Sequence, residues 1–232
     1  MSDRPISAPR STDRADINAW RKSRREECIA WRTAIDEAQR GIWDRQIAAA
    51  LQTLLKAPAT GVTAFYWPHQ AEFDARSVMG RCCDDGAMVA LPEVAGKGLP
   101  LRFRRWWPDA PMVRGMYDIP VPDGTPEVRP DLLLVPMSAF DDCAFRLGYG
   151  GGYYDRSLAA LKPRVVAVGV SYEYCRLPTI YPQAHDCAMD FVVTEAGVYA
   201  ADNGLLVRLD ADAAHARLQK LRKRAGAPED DI

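Results

Sequence analysis

From residue 146 to residue 156 the chain reads Arg-Leu-Gly-Tyr-Gly-Gly-Gly-Tyr-Tyr-Asp-Arg. Clustered glycines let backbone N–H groups close on a ligand without side-chain obstruction, and a helix N-terminus adds partial positive charge. The segment lies between an apolar, strand-like run (Asp131 to Pro136) and a helix-like run (Ser157 to Lys162). Strand–loop–helix junctions are where open α/β sheets bind phosphates, so the segment is expected to cradle an anion. Arg146 at its start has the planar fork that suits phosphate oxygens. Two familiar signatures are missing. A phosphate loop needs Lys-Ser/Thr after its last glycine, where Tyr153 and Tyr154 stand, and a dinucleotide fingerprint counted from Gly148 needs glycine at position 153. On residue type alone, Asp155 reads equally as a first-turn acid facing a helix dipole, Asp186 as a loop cap, and the tyrosine pair as core.

The elements that must position this loop are legible from periodicity. Residues 1–18 are polar and aperiodic, a mobile tail. Trp20 to Leu55 is helical, with Arg40-Gly41 expected to separate two helices. Apolar runs at 62–67, 88–92, 131–135, 165–170 and 191–193 read as strands, Leu101–Arg104 alternates like a half-buried strand, and 72–83 reads as a helix. The proline-rich stretch 117–130 reads as extended loop, and 211–224 as a basic amphipathic helix. Strands alternating with helices predict an α/β fold with a mainly parallel sheet and helices on both faces. The expected organisation is a tail (1–18), one α/β domain (19–205), and a C-terminal helix with a polar end (206–232).

The 232 residues are 48% hydrophobic and 26% charged, with a formal net charge of −1. That balance excludes a broad basic surface for nucleic acid, and no apolar run is long enough to span a membrane. The N-terminus lacks a signal-peptide core. Six scattered cysteines without a CxxC motif are expected to stay reduced in the cytoplasm. The chain is expected to act as a monomer on small molecules.

In order and spacing, three blocks resemble the 5-formyltetrahydrofolate cyclo-ligase family, also called methenyltetrahydrofolate synthetases. They are Pro130–Pro136 with Phe140-Asp141, the loop Arg146–Arg156, and His185-Asp186 with Asp190 and Val192–Glu195. The resemblance implies a three-layer αβα, Rossmann-like fold and an ATP- and Mg²⁺-dependent conversion of 5-formyltetrahydrofolate to 5,10-methenyltetrahydrofolate, with ADP and phosphate released. By the same resemblance, Arg21, Arg25, Arg146, Leu147, Gly148, Tyr149, Gly150, Gly151, Gly152, Tyr153 and Tyr154 contact ATP, with Arg146 and Tyr153 catalytic. Trp67, Glu72, Tyr117, Tyr149, Gly151 and Tyr153 contact the folate, and Asp155 and Asp186 hold Mg²⁺. Arg21 and Arg25 share one helical face, although the family has Lys at one of these positions. A second departure is Ala144, where the family commonly has glycine; a left-handed turn there costs alanine about 1 kcal/mol. Two rival readings are a paralogue using ATP and Mg²⁺ on another small molecule, diverging at Trp67, Glu72 and Tyr117, and a non-catalytic nucleotide- or folate-binding protein.

Overall fold

The computed structural model describes residues 8–56 and 61–225. Its first half comprises α1 (Arg14–Ala34), α2 (Glu37–Leu55), β1 (Val62–Ala64), α3 (Arg76–Asp84), β2 (Met88–Val94), β3 (Leu101–Trp106), β4 (Met112–Arg114) and β5 (Pro120–Pro122). There follow β6 (Leu132–Pro136), β7 (Ala139–Asp141), β8 (Arg146–Leu147), α4 (Tyr153–Ala160), β9 (Val166–Val170), β10 (Arg176–Leu177), β11 (Phe191–Thr194), β12 (Gly197–Asp202), β13 (Leu205–Leu209) and α5 (Ala211–Ala225).

The apolar runs become the middle of an eight-stranded sheet ordered β13-β12-β11-β9-β6-β1-β2-β3. Its five central strands, β11, β9, β6, β1 and β2, are parallel, and antiparallel strands β12, β13 and β3 extend the edges. Side chains alternate across a strand, so continuous apolar runs serve both faces. Leu132, Leu134, Val166, Val168 and Val170 pack under α2, α3 and α5, against Ile47, Leu51, Met79 and Leu218. Leu133, Val135, Ala167 and Val192 point the other way, against Tyr154, Leu158 and Leu161 on and just after α4. This is the expected three-layer αβα arrangement. Each fully buried Leu or Val contributes roughly 1.5–3 kcal/mol of burial. Helix α1 packs Trp31 and Ile35 against the main core, and Trp20 and Cys28 against Leu147, Cys175 and Ile180 in a smaller cluster beside a small sheet ordered β10-β7-β8.

Four local expectations are corrected. The break between α1 and α2 falls at Ile35-Asp36, not at Gly41, because Asp36 Oδ1 caps α2 by accepting from Gln39 N at 3.0 Å. The helix expected from Glu72 begins only at Arg76, because Gln70 and Ala71 adopt left-handed φ of 47° and 58°. The proline-rich stretch is part of a hairpin, β4 paired with β5 around a short turn at Met116–Asp118. Between β6 and the glycine loop the chain inserts the hairpin β7–β8, so the loop leaves a two-residue strand rather than the main sheet. Asp141 Oδ1 makes that hairpin's turn by accepting from Cys143 N and Phe145 N, both at 3.0 Å.

Ala144 sits inside this turn at φ 65°. The left-handed conformation is kept without glycine. The boundary expected at residue 205 passes through β13, and Ala214 and Leu218 of α5 belong to the main core. Helix α1 starts within the span expected as tail, of which residues 1–7 lie outside the described residues.

Candidate active site

Parallel strands leave their carboxyl ends on one side, and loops leaving those ends build clefts there. Here Tyr66 and Trp67 follow β1, Pro136 ends β6, and Pro92 and Val94 come from β2. Helix α1, the glycine loop and the β4–β5 hairpin close round them to leave a cavity of 740 Å³. Every expected site residue lines it except Leu147. Leu147 is fully buried against α1, and its carbonyl accepts from Ser138 N, so it anchors the loop instead.

Spacings of four, three and four residues put Arg21, Arg25, Cys28 and Arg32 on one face of α1. Cys28 packs into the small core while Arg21 and Arg25 line the cavity. Arg25 Nε donates to the carbonyl of Gly148, tying helix to loop. Burial, and then the neighbouring Arg21, lower the proton affinity of Arg25, the cost of gathering cations before an anion arrives. Arg21 forks onto Asp186, with Nη1–Oδ2 at 2.7 Å and Nη2–Oδ1 at 3.0 Å, while Gln183 N donates to Oδ2 at 2.7 Å. Burial alone raises the Asp186 pKa, but the Arg21 pairing and the Gln183 N–H outweigh it and hold the carboxyl below its ordinary value.

In the loop, Gly150 (φ 91°) and Gly152 (φ 64°) use backbone that only glycine adopts freely, and Gly152 caps α4. A Cβ at Gly151 would meet the Tyr153 ring at 2.9 Å. Arg146 is 4% exposed; its Nη1 donates to Asp155 Oδ1 at 3.0 Å, and its buried Nε has no partner. That orphaned donor at the loop's entrance leaves capacity for an oxyanion. Asp155 Oδ1 also accepts from Cys187 N at 3.1 Å, and Oδ2 enters none of these bonds.

Beside the loop's Tyr149, Glu72 has a side chain only 4% exposed. Its Oε1 accepts from the Tyr149 hydroxyl at 2.8 Å and its Oε2 from His69 N at 3.0 Å. Burial raises its pKa, opposed by Arg32 and by these two hydrogen bonds. Burial and the charge of Glu72 push up the phenols of Tyr149 and Tyr154, keeping both protonated. Trp67 carries the Arg76 guanidinium 4.5 Å above its ring. Tyr117, 63% exposed at the hairpin turn, reaches over to Tyr153, hydroxyl to hydroxyl at 3.0 Å. This bond raises the Tyr153 pKa.

Among the described residues no three His, Cys, Asp or Glu side chains group as a metal site. Mg²⁺ commonly takes only one or two carboxylates and completes its shell with phosphate oxygens and water. Asp155 fits that role through Oδ2, whereas both oxygens of Asp186 are engaged by Arg21. Arg32, which stands on the Arg21–Arg25 face of α1, is a further residue of this region whose spacing in the sequence is its only signal. Arg156 Nη2 donates to Gly151 O at 2.8 Å, a contact with no signal in the sequence pattern.

A family model described as the 5-formyltetrahydrofolate cyclo-ligase family matches residues 17–195, from α1 through β11, a span containing every candidate site residue. A 5-formyltetrahydrofolate cyclo-ligase of Mycolicibacterium smegmatis is 34% identical over 139 residues, 56% of this chain and 71% of that protein. The one from Escherichia coli K12 is 28% identical over 179 residues, 72% of this chain and 96% of that protein. The solved structure of Aquifex aeolicus 5,10-methenyltetrahydrofolate synthetase superposes with a TM-score of 0.70 at 26% identity, covering 82% of this chain and 96% of that one. The Mycoplasma pneumoniae synthetase shares the fold, with a TM-score of 0.63 at 19% identity over 75% of this chain and 98% of that one. The chain belongs to the 5-formyltetrahydrofolate cyclo-ligase family.

Proposed function

We propose that the protein converts 5-formyltetrahydrofolate and ATP to 5,10-methenyltetrahydrofolate, ADP and phosphate. The observation that carries this reading is one cavity lined by two chemically distinct sets of groups. Arg21, Arg25, Arg146 and the glycine loop make one set, and Tyr66, Trp67, Glu72 and the Tyr149 side chain the other. Cations and backbone N–H groups suit a triphosphate. An aromatic wall beside a buried carboxylate suits a flat pterin with ring N–H donors.

In the reaction the formyl oxygen attacks the γ-phosphorus, forming an O–P bond as the bond to ADP breaks. The N10 lone pair then attacks the formyl carbon and N10 gives up its proton. Phosphate leaves with the C–O pair, and the methenyl bridge remains. No protein nucleophile is needed, so catalysis rests on positioning and charge stabilisation. Arg146 retains an unpartnered buried donor for phosphate oxygen. Tyr153, its hydroxyl bonded to that of Tyr117, supplies a phenolic donor on the cavity wall. Mg²⁺, when bound, neutralises phosphate charge. Asp155 is the residue to hold it, with Asp186 orienting Arg21. The six cysteines are free, and among the described residues no helix is long and apolar enough to cross a membrane.

The test is purified protein with 5-formyltetrahydrofolate, ATP and Mg²⁺, followed by the near-ultraviolet absorbance of the methenyl product. Folded protein that binds ATP without turnover overturns the reading and favours a different small-molecule substrate.

A further inference from the structure

Arg32 does not line the cavity, yet it is 2% exposed and touches more of the site's framework than any cavity-lining arginine. Its Nε donates to Gln70 O at 2.7 Å, its Nη1 to Met137 O at 3.4 Å and its Nη2 to His69 O at 3.4 Å. Nη2 also donates to the Tyr149 hydroxyl and lies 3.5 Å from Glu72 Oε1. One guanidinium from α1 thus joins the loop after β1, the end of β6 and the glycine loop.

Two of the three carbonyls it holds, those of His69 and Gln70, border a strained turn. Gln70 and Ala71 are consecutive non-glycine residues with φ of 47° and 58°. Such backbone persists only where its surroundings over-determine it. The strain ends at Glu72, whose carboxylate shares the Tyr149 hydroxyl with Arg32. A buried arginine that holds the carbonyls of His69 and Gln70 at this turn, and also lies beside the carboxylate the turn presents, has a role in aiming that residue.

We propose that Arg32 is a positioning residue. From behind the cavity it fixes the Glu72 carboxylate and the Tyr149 hydroxyl in one ionised network, so that the pterin-binding groups and the glycine loop are set together. The proposal rests on the folate reading of the cavity and adds to it a residue that touches neither substrate. Its charge acts on a carboxylate faced by Tyr149 of the glycine loop, Tyr66 after β1, Tyr154 of α4 and the His69 loop. Among these groups Arg32 is the cation that opposes the burial of Glu72.

The experiment compares wild type with Arg32→Met, Arg32→Lys and Tyr149→Phe for melting temperature, KM of each substrate, kcat, and the pH dependence of kcat/KM for 5-formyltetrahydrofolate. Arg32→Met is expected to raise the folate KM by ~10-fold or more with a smaller change in ATP KM, because it leaves a buried carboxylate unpaired. It is also expected to move the acid limb of the folate profile to higher pH. Arg32→Lys restores the limb but not the KM, since an ammonium keeps the charge and loses the fork. If Arg32→Met does not fold, Arg32→Lys and Tyr149→Phe carry the test, each raising folate KM more than ATP KM. A lowered melting temperature with wild-type KM values and pH limb in the folded variants overturns the proposal. Absence of turnover in wild type instead overturns the folate reading, and the two failures are distinct.

Discussion

Arg146 Nη1 stands 3.0 Å from Asp155 Oδ1, so the loop's buried arginine and the carboxylate suited to Mg²⁺ are paired with each other across the start of α4. The pair is half-satisfied on both sides. Arg146 keeps Nε without a partner, and Asp155 Oδ2 stays outside the pair. In the proposed reaction a metal-bound triphosphate would supply what each lacks, an oxyanion for the arginine and a cation for the carboxylate.

Asp155→Asn keeps an oxygen to accept from Cys187 N and removes the charge. Turnover at subsaturating Mg²⁺ is expected to fall between ~10- and ~100-fold, with half-saturation at higher Mg²⁺. Steady-state rates over a Mg²⁺ series, with a melting curve on the same sample, check this. A variant that unfolds at 25 °C would show that Asp155 serves the helix and not the metal.

Glu72→Gln preserves shape and the chance of a hydrogen bond to Tyr149 while deleting the acceptor's charge. The KM for 5-formyltetrahydrofolate is expected to rise by about 10-fold and the KM for ATP to change less than about 2-fold. Equal rises in both KM values would place Glu72 outside the pterin-binding groups.

Asp186 contributes stability with a definite pH signature. Its folded pKa lies below the unfolded value, so its contribution is present above about pH 4 and is lost as pH falls through the folded value. The gap in urea-unfolding free energy between wild type and Asp186→Asn is expected to narrow between about pH 5 and about pH 3. A gap that stays constant over that range contradicts the Arg21–Asp186 assignment.

Ala144→Gly sets two effects against each other. Relief of the left-handed backbone gains about 1 kcal/mol. Loss of a methyl buried at 0% exposure costs about 0.8 kcal/mol. The net change in unfolding free energy is therefore expected to stay within about 0.5 kcal/mol, with activity unchanged. Denaturant titration of the two proteins decides it, and a gain above about 1.5 kcal/mol would mean the methyl packs poorly.

The residues themselves determined whatever depends on near neighbours. The apolar runs of β6, β9 and β11 specify buried strands because every position in them can face one core or the other. The glycines at 148 and 150–152 specify close backbone approach because they lack Cβ, and spacings of four and seven place Arg21, Arg25 and Arg32 on one helix face. Tertiary structure decided which distant partners meet. Arg21 finds Asp186 across 165 residues, and Tyr149 finds Glu72 across 77. Strand order, the inserted β7–β8 hairpin and the strained turn at Gln70-Ala71 set those meetings. The depth of Arg32 was likewise invisible, since its surroundings come from three separate loops folded over α1. Local periodicity records which face of an element is apolar, and it carries no information about which polar groups will be brought behind that face and left with only each other as partners.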